Sequence, residues 1–305
     1  MRIIAVLNRD GGTLRTMDLD AFSTEAISIF AEHGHSLECR VVGGKAVQGE
    51  LWRVAETPGV DVIMAAGGDG TVSAAAGVAF ATKVPLAVLP AGTMNLFARS
   101  LKVPQDLHEA LEALAAGTIG QVDVCSANDR AFVYQFNVGV HARLVRIRED
   151  MVYRSRLGKI FASLRAVAAT VVRPPNFEVD LHTPTGSQRR RASGIVVSNN
   201  PIGSGPLPHP DQLDAGLLAV YVAEPMSSWA LLKLVVDVFR GTWQSSPLVT
   251  STLVEEAVLH FPKRKRGAHA VIDGELIRLD KLVKLRVHPG GLPVLLPQPA
   301  MQVPE

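Results

Sequence analysis

Residues 60 to 98, VDVIMAAGGDGTVSAAAGVAFATKVPLAVLPAGTMNLFA, constrain this chain more than any other stretch. They open with an apolar run, Val60 to Ala66, interrupted only by Asp61 and long enough for one buried strand. The run stops at Gly67-Gly68-Asp69-Gly70-Thr71, and small residues at helix-compatible spacing follow. A strand that ends in glycines and enters a helix leaves unpaired backbone N–H groups at the junction. Glycine there lets a phosphate chain approach the main chain closely. A second apolar strand, Pro85 to Leu89, ends in Pro90-Ala91-Gly92-Thr93-Met94-Asn95. Two such loops on neighbouring parallel strands share one crevice, so the pair predicts a nucleotide-phosphate site.

The preceding residues fit the same architecture. Arg2 to Leu7 reads as a buried strand, followed by the loop Asn8-Arg9-Asp10-Gly11-Gly12-Thr13. Residues 18–33 have helical spacing, with Phe22, Ala26, Ile29 and Phe30 on one face. Ser36 to Val42 reads as a strand and Lys45 to Glu56 as a helix; helices to Leu101 and from Asp106 to Ala116 follow Asn95. Strands alternating with helices predict a doubly wound parallel sheet over residues 1–125. Near Asp123 the pattern changes. The runs 131–140, 176–182, 191–199, 217–223, 253–261, 269–279, 282–288 and 293–296 are short and β-rich. With helices at Ser155 to Val172 and Ser227 to Arg240, they predict a β-sandwich over residues 126–305.

Composition narrows the class. An apolar content of 47% and mean hydropathy of +0.19 supply two cores. No apolar run reaches the ~18 residues of a spanning helix, and the N-terminus reads as a strand rather than a leader. Cys39 and Cys125, scattered and few, fit a reducing cytoplasm. The net charge of +2 conceals a division, −5 over residues 1–125 and +7 over 126–305. The cations gather as Arg143, Arg146, Arg148, Arg154 and Arg156, as Arg189-Arg190-Arg191, and as Lys263-Arg264-Lys265-Arg266. A basic second half suggests an anionic partner. Neither short run, 189–191 nor 263–266, has interleaved aromatics, which argues for a peripheral anionic membrane surface and against nucleic acid. Solvated loop tips are the competing explanation.

GGDGT followed by PAGTMNLFARSL resembles the diacylglycerol kinase catalytic-domain family, which includes soluble bacterial lipid kinases and the sphingosine and ceramide kinases. The resemblance continues more thinly through Phe136-Asn137-x-Gly139, Ser198-Asn199-Asn200 and Asp273-Gly274-Glu275. It implies an NAD-kinase- and phosphofructokinase-like first domain, a second domain carrying the acceptor, and transfer of the ATP γ-phosphate to a lipid hydroxyl. The partners it implies are MgATP and a lipid such as diacylglycerol, at the inner face of the membrane; a homodimer is left open. An NAD kinase-like enzyme and a non-catalytic nucleotide- or lipid-binding regulator are the alternatives.

The resemblance assigns roles to particular residues. Asn8, Gly67, Gly68, Asp69, Gly70, Thr71, Gly92, Thr93 and Asn95 would contact the nucleotide. Asp69 would face the Mg²⁺ or orient the phosphates, although an Asp at that position also suits a helix cap. Asp273 and Glu275 would supply the base, and an extended segment would put both on one side. A hairpin turn is the plainer reading of Asp-Gly. Asp214 is the one metal-ligand candidate; it stands one residue ahead of the family's carboxylate position, which is Ala215 here.

Overall fold

The structure is a computed structural model that describes residues 1–149, 174–203 and 209–298. The chain forms two compact units, one of Met1–Val124 with His288–Glu305 and one of Cys125–Val287. Residues 288–298 therefore belong with the first unit, not with the second as the 126–305 boundary had it. The helix expected over 155–172 lies outside the described residues.

In the first unit β1 (Arg2–Asn8), β2 (Ser36–Val42), β3 (Val62–Gly67) and β4 (Leu86–Pro90) pair in parallel in the order β2-β1-β3-β4. The Ile3–Leu7 stretch of β1 and all of β3 and β4 are buried. Each large aliphatic side chain withdrawn from water there contributes roughly 1.5–3 kcal/mol. Helices α1 (Leu19–Glu32) and α5 (Leu107–Ala115) pack together, as do α2 (Val47–Ala55) and α3 (Asp69–Thr82). Asp18 caps α1 through the Asp20 and Ala21 amides, and Asp106 caps α5 in the same way. The strand order reverses at β1/β3, which is where such sheets bind ligands at the strands' carboxyl ends. A short helix α4 (Leu96–Ser100) follows β4, and β5 (Thr118–Ala127) follows α5.

The second unit is antiparallel. It contains β6 (Arg130–Phe132), β7 (Gln135–Gly139), α6 (Val140–Glu149), β8 (Phe177–Thr183), β9 (Gly186–Ala192), β10 (Gly194–Asn199) and β11 (Leu218–Ala223). Then come α7 (Ser228–Phe239), β12 (Val249–Val254), β13 (Glu256–His260), β14 (His269–Ile272), β15 (Glu275–Arg278) and β16 (Leu282–Leu296). One sheet runs β12-β11-β10-β7-β14-β15. In the other, β8 pairs with β9 and β13, and β13 pairs with the first part of β16. Alternate residues of both sheets, among them Phe136, Val138 and Val197 against Leu181, Leu259 and Leu285, form one apolar core. The expected sandwich is present.

The runs 282–288 and 293–296 are one strand rather than two. Its latter part belongs to the first unit, where Val294 pairs in parallel with Leu86. Gly290 takes a φ of 58° and donates its N–H to the buried Asp123 carboxylate at 2.9 Å. That bond carries the strand through Pro289-Gly290-Gly291, which reads in the sequence as a turn.

Candidate functional site

The first candidate site is formed by three loops of the first unit. Asn8 ends β1, Gly67 ends β3 and Pro90 ends β4, so the loops leave adjacent strands at the same end. Side chains and backbone tie them together. Asn8 Nδ2 donates to Thr71 Oγ1 at 2.9 Å. The Leu96 N–H donates to Asp69 Oδ1 at 2.8 Å, joining the GGDGT loop to the start of α4. The Thr13 amide donates to the Ala91 carbonyl at 2.9 Å. Asp10 Oδ2 accepts the Gly44 amide at 2.7 Å, which fixes the β2 loop as well.

The backbones approach closely where GGDGT meets PAGTMN. A Cβ on Gly92 would lie 2.5 Å from the Gly68 Cα, so only glycine fits at residue 92. Gly68 is the N-cap of α3 and offers no side-chain cap. The Thr71 amide bonds the Gly68 carbonyl at 2.9 Å, which leaves the Asp69 and Gly70 amides to face outward from the partly positive end of the helix. An anion placed there satisfies both.

The structure assigns the predicted residues different tasks. Asp69 is not the cap; it is the first helical residue, and its carboxylate holds Leu96. Asn95 is buried with φ 48°, its Oδ1 accepting from the Gly92 amide at 2.8 Å and its Nδ2 donating to the Gly92 carbonyl at 3.1 Å. It braces its own loop from within. Gly70 and Thr93 are exposed, whereas Thr71 is buried against Asn8. Asp10 and the Leu96 amide were missed by the sequence reading. Nothing in residue type marks a backbone donor, and Asp10 in a polar loop looks ordinary.

Asp273-Gly274 is the two-residue turn of the β14–β15 hairpin, with Ile272 opposite Glu275. Both turn residues have positive φ, 46° and 86°, as a type I′ turn requires. The segment is therefore not extended, and the two acids do not share a side. Asp273 is buried, and its carboxylate accepts the amides of Val133, Tyr134 and Gln135 at 2.9–3.0 Å. Asn199 holds the same loop from its other end, Nδ2 donating to the Val133 carbonyl at 3.2 Å. Glu275 is exposed and forms an ion pair with Arg130. Asp214 is exposed, and among the described residues no three His, Cys, Asp or Glu side chains come together as a metal site.

The diacylglycerol kinase catalytic-domain profile matches residues 2–127, which contain all three loops. Over those residues the chain is similar to that family. Beyond the catalytic domain the likeness is looser. A Synechocystis sp. protein named only as uncharacterized is 28% identical over 259 residues, 78% of this chain and 55% of its own length. The match thus spans little more than half of that relative. A Chromohalobacter salexigens protein named as a YegS-like lipid kinase is 28% identical over 233 residues, 74% of each chain. A crystal structure of a diacylglycerol kinase from Bacillus anthracis str. Sterne covers 98% of this chain and 97% of that one, with TM-score 0.71 at 18% identity. At that identity the likeness shows the fold, a parallel α/β domain followed by an antiparallel one.

Proposed function

We propose that this protein is an ATP-dependent lipid kinase, which moves the ATP γ-phosphate to the hydroxyl of a lipid of the diacylglycerol type. The observation that carries the reading is the uncapped start of α3 beside Gly92, inside a diacylglycerol kinase catalytic domain. The phosphates lie on the amides of that first turn, and Gly68 and Gly92 leave room for them. A carboxylate beside a phosphate chain needs a cation between them. Asp69 commits Oδ1 to Leu96, and its second oxygen would be left to hold the Mg²⁺ brought with ATP, which would offset the phosphate charge.

Of the two acids in the turn, Glu275 is the better base. Asp273 already has three amides on its carboxylate, whereas Glu275 has a single exposed ion pair with Arg130 that a substrate can displace. Glu275 takes the proton of the acceptor hydroxyl as the phosphate is transferred. Asp273 keeps the turn in shape. An apolar cavity of about 180 Å³ under α7, lined by Tyr221, Met226, Leu231, Leu234, Val238 and Trp243, suits part of an acyl chain. The basic second unit brings the protein to an anionic membrane surface, where such acceptors reside. The deciding experiment incubates purified protein with labelled ATP, Mg²⁺ and a panel of lipid alcohols. Labelled lipid phosphate is expected; transfer to no lipid, or to NAD alone, overturns the reading.

A further inference from the structure

Within the second unit lies an open groove of about 550 Å³ that neither the loops nor the turn account for. Six cations line it from three separate elements: Arg143 and Arg146 of α6, Arg191 of β9, and Lys263, Arg264 and Lys265 of the β13–β14 connection. Among the described lining residues Glu178 of β8 is the single carboxylate. The Lys263 ammonium donates to it at 2.9 Å and, with Arg189 and Arg191 adding to the field, holds the Glu178 carboxyl below its ordinary range. Arg264 donates to the Leu279 carbonyl at 2.8 Å. Arg146, Arg191 and Lys265 are exposed and have no ion pair among the described residues.

Like charges gathered this closely repel one another unless an anion sits among them. The groove wall is apolar where Phe177, Phe261 and Leu279 reach it, with the two rings 6.0 Å apart. A neutral acceptor lipid gains nothing from six cations, and a soluble polyanion gains nothing from the apolar wall. A phosphate headgroup attached to acyl chains gains from both.

We propose that this groove binds the phosphate headgroup of an anionic phospholipid and so seats the second unit on a membrane surface. The proposal deepens the membrane part of the functional reading and does not depend on phosphate transfer. Guanidinium groups suit the task, because each can donate two hydrogen bonds to a phosphate in one plane. The groove then differs from a diffuse basic surface, since position as well as charge matters.

The test measures binding to large vesicles without ATP, comparing phosphatidylglycerol in phosphatidylcholine with phosphatidylcholine alone. One variant carries Arg146→Gln, Arg191→Gln and Lys265→Gln. A control carries Lys281→Gln, Lys284→Gln and Arg286→Gln, which removes the same charge from exposed positions outside the groove. Thermal melts of both variants should match the wild type. The groove variant should bind anionic vesicles about 100-fold less tightly, a factor of about 5 per cation, while the control loses only a few-fold. Inorganic phosphate should displace the wild type from vesicles more strongly than chloride of equal ionic strength. Equal losses in the two variants overturn the site and leave general electrostatic docking. Phosphate binding with no preference for anionic vesicles also overturns it, in favour of a soluble phosphate ligand. Wild type that ignores lipid charge overturns both the groove and the membrane contact. Phosphate transfer to detergent-dispersed lipid is measured separately, so the kinase reading stands or falls on its own.

Discussion

Two acids sit in glycine-containing turns of this protein, Asp69 in the first unit and Asp273 in the second, and their amide partners set them apart. Asp69 takes one amide, that of Leu96, and the first turn of α3 behind it is left without a cap. Asp273 takes three amides, those of Val133, Tyr134 and Gln135, and is buried among them. Amides to spare beside the first acid can receive an anion, whereas an acid that engages three amides of another segment is a brace. The motif letters, Gly-Asp-Gly and Asp-Gly-Glu, do not distinguish these cases; the hydrogen-bond accounting does.

The sharpest way to break the comparison is Glu275→Gln. With Glu275 as the base and Asp273 as the brace, turnover should fall by about 10²–10⁴-fold while calorimetric ATP affinity stays unchanged. Wild-type turnover in this variant would return the role to Asp273 or Asp69.

Next in size is the glycine pair. Gly92→Ala puts a Cβ into the Gly68 backbone, costing about 1–3 kcal/mol of overpacking and weakening ATP binding by about 10–100-fold. At Gly68 a Cβ would meet its nearest atom, the Gly92 Cα, at 3.5 Å, an ordinary contact. Gly68→Val should therefore fold normally and obstruct only the ligand. Equal unfolding in both variants would mean the loops are structural alone.

A smaller effect is expected from Asp273→Asn. Asparagine tolerates the left-handed backbone of residue 273 but turns an N–H₂ group toward one of the three donors. The loss should be about 1–3 kcal/mol of stability, with faster hydrogen exchange at the Val133–Gln135 amides. Normal exchange together with abolished turnover would reverse the roles assigned to the two acids.

The smallest effect concerns an exposed contact of the second unit. Arg189, and after it His260, hydrogen-bond Asp180 and lower its carboxyl to about 2. A depressed folded value means that the contact stabilises the fold above about pH 4 and fades as pH falls toward 2. Arg189→Gln should raise the Asp180 midpoint in a carboxyl NMR titration. An unmoved midpoint would leave His260 as its main partner.

Strands β1, β3 and β4 were legible because they are buried on both faces and so read as unbroken apolar runs. The loops at their ends were legible because glycine is demanded where backbones nearly touch, as at Gly92. The division of labour between Asp273 and Glu275 was not. It depends on φ at Asp273 and on three amides far away in the chain, neither of which spacing reveals. The groove cations were visible singly, but Arg191 sits in an arginine run that points to both sides of β9, and only the fold shows that it joins Lys263. Residues 288–298 were placed in the wrong unit because a strand's composition does not say which sheet it will join.

The final strand has a consequence for how this protein is made. The first unit is interrupted after Val124 and resumes at His288, where Leu292, Val294 and Leu295 are fully buried and the Gln298 amide bonds the Ala113 carbonyl. A ribosome delivers residues 125–287 before those closing residues emerge. The second unit can therefore complete its core while the first still lacks a strand and shows the apolar edge of β4. During synthesis the half of the protein made first is finished last, and that waiting edge is where a chaperone would act or a nascent chain would aggregate.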